Sequence, residues 1–367
     1  MRLLIAPDGF KGTLRADEAA AAIARGWRRA RPEHVLIERP LSDGGPGFVH
    51  AMASARGVPV RWSSAPHALG GRVDAAWCMA DGTAFLEAAQ VVGLDRGLDV
   101  HAATSTGLGV LIGEALSAGA STIVVGLGGT CVVDAGAGML AALGARAVDA
   151  SGEAVRLDAG PAALARVATV ELTPVTERLS GVELVAAVDV DVPLLGARGA
   201  AHGFAQQKGA SAAEVPELEA ALGAFAAACG RRDDGRDAAV MLGAGAAGGL
   251  GFGLMRLGAS RASGFQRVWD DSRIDLDGVD LVITGEGSLD WQSLEGKLVA
   301  GVAARAQERG IPVIALAGRV LITPRERIDI GLDAAYSLVE MVGEERALGD
   351  AAGALEDAAA RLVRTWG

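Results

Sequence analysis

The chain has 367 residues, half of them hydrophobic, with a formal net charge of -11 and a pI near 5.0. That length exceeds one ordinary hydrophobic core and predicts two domains, while abundant apolar residues and moderate charge argue against a disordered or fibrous protein. An acidic chain offers no clustered basic face for nucleic acid or an anionic membrane, although polyphosphates can still be held by backbone N–H groups, a few lysines and a metal ion.

The three cysteines, Cys78, Cys131 and Cys229, lie far apart and form no CxxC pair, so neither a disulfide framework nor a zinc site is expected. The apolar stretch near the N-terminus, Leu3 to Ala6, is too short for a signal-peptide core, and no run approaches the roughly 20 residues of a membrane span. The expectation is a soluble protein of the reducing cytoplasm.

Six short apolar runs read as buried strands: Leu3–Ala6, Val35–Glu38, Thr122–Gly126, Leu281–Thr284, Val313–Ala317 and Ala334–Leu338. All but the last run into turn residues and then a helical pattern, the order of βαβ units in a parallel sheet. The first helix carries Ala20, Ile23, Ala24 and Trp27 on one face and Asp17 and Glu18 in its first turn. Further helices are expected at Met139–Leu143, Val299–Gln307 and Leu355–Val363. Two stretches break this rhythm. Val58 to Gln90 alternates as a half-exposed antiparallel hairpin does, and residues from about 145 to 240 add short strands and an Ala-rich helix from Ala212 to Cys229. They predict a second, smaller mixed α/β domain, with the active cleft between the two.

In an open α/β sheet, ligands bind beyond the carboxyl ends of the strands, and small and acidic residues collect there in this chain. Pro7-Asp8-Gly9-Phe10-Lys11 follows the first strand and Ser42-Asp43-Gly44-Gly45-Pro46-Gly47 the second. An Asp at a strand end can hold a metal or a hydroxyl, a Lys near a helix start can hold phosphate, and glycines let backbone approach a ligand. Either segment reads equally as a plain turn. The long loop from Gly126 to Gly138 contains Gly128, Gly129 and Asp134, and its N–H groups can cradle phosphate, though it is not a Walker A sequence. Gly243 to Gly249 formally matches GxGxxG, but a poor strand precedes it and no ribose-binding acid follows, so a ligand-facing loop or tight helix packing is the better reading.

Asp189 ends the run Val182 to Val188, where a carboxylate could accept a proton from a substrate hydroxyl, and Lys208 follows in Gln206-Gln207-Lys208-Gly209. Glu286, Asp290 and Lys297 share the segment from Thr284 to Lys297, with the oxygen ligands and single Lys that a magnesium-assisted phosphoryl site needs. A solvated loop is the alternative. The five histidines are scattered and support no Ser/His/Asp triad.

Taken in order, APDGFKGTL, SDGGPG, FLEAA around Glu87, ATSTGLG from Ala103, GLGGTCVVDAGAGML, AVDVDVPLLG, QQKGA, GAGAAGGLG and TGEGSLDWQSLEGK resemble the bacterial type I glycerate kinase family along nearly the whole chain. The resemblance implies ATP- and Mg2+-dependent phosphorylation of D-glycerate, giving 2-phosphoglycerate or 3-phosphoglycerate, by a monomer or homodimer. It also implies a flavodoxin-like parallel sheet domain, here 1–57, 101–144 and 241–367, interrupted by a smaller mixed α/β domain at 58–100 and 145–240. Onto matching positions it carries Asp189, Lys11 and Lys208 as catalytic residues. Asp8, Asp43, Gly44, Gly45, Gly128, Gly129, Asp134, Glu286 and Lys297 become substrate- or nucleotide-binding, and Asp43 and Asp290 become metal ligands.

This chain departs from the family pattern at several positions: Val132 and Val133 replace Thr and Asn, Ala135 a glycine, Pro46 a Glu, Val192 an Asn, and Ser288 an Arg. In a ligand-facing loop the two valines would alter substrate or nucleotide contacts, and the lost Arg would remove a bidentate anion contact. The expected activity is therefore glycerate kinase. A kinase of another small hydroxy acid and a non-catalytic metabolite or nucleotide sensor are the alternatives, with a dinucleotide-dependent dehydrogenase third.

Overall fold

The computed structural model describes residues 1–10, 12–94, 97–294 and 298–367. In chain order the strands are β1 (Arg2–Ile5), β2 (Val35–Glu38), β3 (Arg61–Pro66), β4 (Arg72–Ala80), β5 (Thr83–Glu87), β6 (Thr122–Gly126), β7 (Arg146–Val148), β8 (Ala154–Val155), β9 (Thr169–Glu171), β10 (Glu183–Ala187), β11 (Ser260–Ala262), β12 (Leu281–Leu289), β13 (Val313–Val320) and β14 (Ala334–Ser337). They divide between two compact units.

The first unit comprises Met1–Asp43, His50–Gly57 and Phe265–Gly367. Its five strands lie in the order β14-β13-β12-β1-β2, with every pairing parallel. Counted within this unit alone, that is the 2-1-3-4-5 order of a flavodoxin-like sheet, and the topological switch point falls between β1 and β12. Leu3, Ile5, Leu281, Ile283, Ile314 and Leu316 alternate onto one face and are buried under the helices Ala16–Ala30 and Ala351–Trp366, which present Ile23, Trp27, Leu355 and Leu362. β2 is an edge strand, and Val35, expected to be buried, is 55% exposed.

The second unit comprises Gly44–Val49 and Val58–Gly264. Its six-stranded sheet has the order β11-β10-β6-β5-β4-β3. The strands from β11 to β5 pair in parallel, whereas β5, β4 and β3 form an antiparallel meander. The hairpin expected between Val58 and Gln90 is this β3–β4 pair, with Arg61 opposite Trp77. A three-stranded antiparallel sheet, β8-β7-β9, and the helix Val215–Cys229 complete the unit.

This division differs from the sequence expectation: residues 44–49 fall in the second unit, that unit is the larger of the two rather than the smaller, and β6 lies in it as well. Residues 101–144 and 241–264 belong to the second unit, because β6 pairs with β10 and β5 rather than with β1. The run Thr122–Gly126 shows only that it is a strand buried on both faces. Such a run has the same composition in either sheet, since the pairing partner lies far away in sequence.

Candidate active site

In the first unit the acidic residues gather at the carboxyl edge of the sheet. The ladder continues past the end of β1, where the Asp8 N–H donates to the Gly285 carbonyl at 2.8 Å and the Leu41 N–H donates to the Pro7 carbonyl at 2.9 Å. Asp8 is thereby set beside Gly285-Glu286 on one flank and Leu41-Ser42 on the other, at the switch point. Its Oδ1 accepts from the Gly9 N–H at 2.7 Å, which orients the carboxylate. Asp8, Asp43, Glu286 and Asp290 are all half-buried. Asp290 follows β12, and its N–H donates to Ser293 Oγ at 3.2 Å, closing the turn into the short helix Trp291–Leu294. Lys11 and Lys297 lie outside the described residues.

Among the described residues no three His, Cys, Asp or Glu side chains gather as a preformed metal cage. Strand-end carboxylates nevertheless suit Mg2+, which takes one or two carboxylates and completes its octahedron with water and substrate phosphates. Ser288 stands in register with Arg319 on β13, whose guanidinium pairs with Glu344. The strand beside Ser288 thus carries a guanidinium one position across the sheet.

In the second unit Glu87, Gly126, Ala187 and Ala262 stand in register at the ends of β5, β6, β10 and β11. The loop from Gly126 to Gly138 leaves this edge. Gly128 is half-buried and Gly129 exposed, but Thr130 through Gly138 are all buried. The backbone that the loop can offer a ligand is therefore concentrated at Gly128-Gly129.

Three charged side chains fix the loops at this edge. Asp134, expected to bind substrate or nucleotide, is fully buried. Its Oδ2 accepts from the Ser105 N–H at 2.8 Å, Ser105 Oγ at 2.7 Å and the Gly138 N–H at 3.2 Å, and its Oδ1 accepts from the Gly136 N–H at 3.1 Å. With four donors on it, this carboxylate organises the loop from within. Burial outweighs those donors and raises its pKa above the usual Asp value.

Lys208 is 3% exposed, and its ammonium donates to the Thr130 carbonyl and, at 3.0 Å, to Thr130 Oγ1. Desolvation lowers its pKa to about 8, against the opposing charges of Cys131 and Asp134. Glu87, 2% exposed, accepts from the N–H groups of Gly47 and Val49 at 3.1 and 3.2 Å and from Gln90 Nε2 at 3.1 Å. Burial raises its pKa as well. Asp189 is half-buried at the end of β10, and its Oδ1 accepts from the Gly264 N–H at 2.9 Å.

Glu87 and Ser105 are the structural discoveries of this site. Both lie in segments that carry the family resemblance, FLEAA and ATSTGLG, but the sequence alone assigns neither a role. The available signal was a lone Glu in the otherwise apolar run Ala84–Ala89.

The glycines pack backbone on backbone. A Cβ on Gly128 would lie 2.6 Å from the Gly45 Cα, one on Gly126 2.5 Å from the Gly44 carbonyl oxygen, and one on Gly248 1.8 Å from the Val132 carbonyl oxygen. The Gly243–Gly249 loop thus braces the glycine loop from behind, and the Ala135 N–H donates to the Gly248 carbonyl at 3.1 Å. Val132 and Val133 are both fully buried, so these departures are core substitutions. The expectation that they alter ligand contacts fails because their side chains point into the interior. Ala135, where the family has glycine, adopts a left-handed φ of 52°.

The sequence matches the family model described as "Glycerate kinase family" over residues 3–367. The chain belongs to the glycerate kinase family. Among relatives, Escherichia coli K12 glycerate 2-kinase is 38% identical, with 94% of this chain and 92% of that protein aligned. An uncharacterized protein of Mycobacterium bovis is 42% identical over 100% of this chain and 92% of its own length. A crystal structure from Salmonella typhimurium LT2, provisionally assigned as glycerate kinase 2, is 36% identical with a TM-score of 0.84, covering 100% of this chain and 98% of that one. This member of the glycerate kinase family is accordingly a kinase with the mixed α/β fold of its relatives, and among the described residues no helix is long and apolar enough to cross a membrane.

Proposed function

We propose that this protein transfers the γ-phosphoryl group of ATP to the 2-hydroxyl of D-glycerate, giving 2-phosphoglycerate and ADP. The observation that carries this reading is the full-length relationship to glycerate kinases, which includes a glycerate 2-kinase aligned over 94% of the chain. The hydroxyl oxygen attacks the γ-phosphorus, the bond to the bridging oxygen of ADP breaks, and the hydroxyl proton leaves to a base or to solvent.

Asp189, at a strand end and oriented by the Gly264 N–H, positions the hydroxyl and accepts its proton. The amides at Gly128-Gly129, the part of the loop that reaches the surface, donate to anionic oxygens, and Lys11 and Lys297 offset charge on phosphate or carboxylate. Asp8 and Glu286 at the switch point orient substrate hydroxyls. Asp43 and Asp290 would hold Mg2+, which supplies charge neutralisation on the transferring phosphoryl group. Positioning and electrostatics dominate this chemistry, so a base contributes less than the surrounding clamp.

The altered-substrate and sensor readings rest on the departures from the family pattern; Val132 and Val133 are buried and lend them no support, while Ser288 is half-buried. The dehydrogenase reading drew on Gly243–Gly249, where the glycines are accounted for by packing.

The test is ADP release from ATP, Mg2+ and D-glycerate, with the product resolved by 31P NMR. Turnover to 2-phosphoglycerate supports the proposal, 3-phosphoglycerate refutes the regiochemistry, and ATP binding without turnover of any short hydroxy acid refutes the kinase. Asp189→Asn should lower kcat by about 10²-fold or more in folded protein; near-normal turnover would remove its role.

A further inference from the structure

We infer that Lys208 is a positioning residue for the phosphate-facing loop: its ammonium, by gripping Thr130, fixes the Gly128-Gly129 amides, and catalysis weakens when that ammonium loses its proton. The grip is visible in the geometry. Lys208 ends the short helix Gln206–Lys208, Gly209 follows in a left-handed conformation with φ 99°, and the buried side chain donates to both the carbonyl and the hydroxyl of Thr130. Thr130 is the residue immediately after half-buried Gly128 and exposed Gly129. Asp134 fixes the later part of the loop through its four donors, so Lys208 is the buried charged brace at Thr130, the residue next to exposed Gly129.

Losing the proton changes that brace. A charge-assisted hydrogen bond becomes a neutral one, roughly half as strong, and the nitrogen gains a lone pair beside two oxygen acceptors. The titratable groups acting on Lys208 are the Asp134 carboxylate and the Cys131 thiol, both on the loop, and both favour the ammonium against the burial that opposes it. The balance sets the pKa at about 8, against an unfolded-chain value of 10.5. Between these values the unfolded chain binds more protons, so this group raises global stability as pH climbs through that window. An opening of 126–134 that leaves Lys208 desolvated loses the grip without rehydrating the amine, so the local brace weakens with alkali while global stability rises, which separates positioning from a merely structural role.

The activity arm of the test rests on the kinase reading, whereas the exchange arm does not. Amide hydrogen exchange across 126–134, corrected for intrinsic rates, is measured at pH 7 and pH 9 on the full chain, alongside the pH profile of kcat/KM. The wild type should lose about tenfold in loop protection at pH 9 and show a falling limb of kcat/KM near pH 8. Lys208→Met should have low protection at both pH values and no such limb. Lys208→Arg keeps its charge throughout, so its protection should be equal at the two values. Equal wild-type protection at pH 7 and 9, or an unchanged limb in Lys208→Met, would overturn the inference. Protection that follows pH in a protein without glycerate turnover would uphold the brace and count against the kinase reading.

Discussion

Replacing Asp134 by Asn probes whether the glycine loop is held from within. The amide oxygen can take the Oδ2 position and keep the three donors there, Ser105 N–H, Ser105 Oγ and Gly138 N–H. The amide NH2 then faces the Gly136 N–H, which loses its acceptor in a fully buried site. One buried unsatisfied donor costs about 1–3 kcal/mol, and three bonds falling from charge-assisted to neutral strength add to this, while release of a buried charge offsets part. The net expectation is about 2–3 kcal/mol for Asp134→Asn, and about 4 kcal/mol for Asp134→Ala, which strands all four donors. Urea denaturation at pH 7, read on the transition that carries the second unit, measures both. A loss below about 0.5 kcal/mol for Asn, or an Ala variant no worse than Asn, would refute the reasoning. The pH dependence has a definite sign. Because the folded pKa of Asp134 is raised, its contribution is largest below the usual carboxylate pKa and is lost as pH rises through the folded value. The gap between wild type and Asp134→Asn should therefore narrow with rising pH and then level off.

Three further substitutions test the packing. Ala135→Gly relieves a left-handed alanine worth about 1–2 kcal/mol and loses a buried methyl worth about 0.8, so the urea midpoint should rise slightly; a fall would mean that the turn at φ 52° is unstrained. Gly128→Ala drives a Cβ into the Gly45 Cα, 2.6 Å away, and should cost about 1–3 kcal/mol together with at least tenfold in kcat/KM, an expectation that wild-type kinetics in the variant would sink. Val132→Thr restores the family residue at a fully buried position, so calorimetry should show a loss of about 1–3 kcal/mol, with KM for ATP and glycerate unchanged.

The strand ends were legible because an apolar run stopping at Asp, Gly or Glu has one economical meaning in a parallel sheet. Asp8 and Asp189 each follow such an end, whereas Glu286 lies inside β12, which runs on past the expected Thr284 to Leu289. Sheet membership was not legible, as Thr122–Gly126 shows, because strand pairing is a long-range fact and a strand buried on both faces carries no mark of its partner. Burial was equally silent for single polar residues. Nothing local distinguishes Asp134 and Lys208, facing inward, from Asp189, half-exposed at a strand end; the difference lies in what folds over them, namely Ser105 for Asp134 and Thr130 for Lys208.

Glycine carried the largest ambiguity. A glycine-rich loop reads as an anion cradle, but glycine is also required wherever another chain segment occupies the place of a Cβ. At Gly126, Gly128 and Gly248 that second requirement is met by the backbone of Gly44, Gly45 and Val132. The two readings converge at one point, because packing holds Gly128 in place while Gly129 beside it remains exposed with φ 65°. A phosphate-binding loop needs fixed N–H groups that reach solvent, and rigidity must then come from contacts behind the exposed residues. The second unit supplies those contacts through Glu87 on the Gly44–Val49 segment, Lys208 on Thr130, and Asp134 on Gly136 and Gly138. Asp134 and Lys208, which look like ligand contacts in the sequence, thus hold the loop in place, and under the proposed function they would serve recognition one step removed, through the Gly128-Gly129 amides.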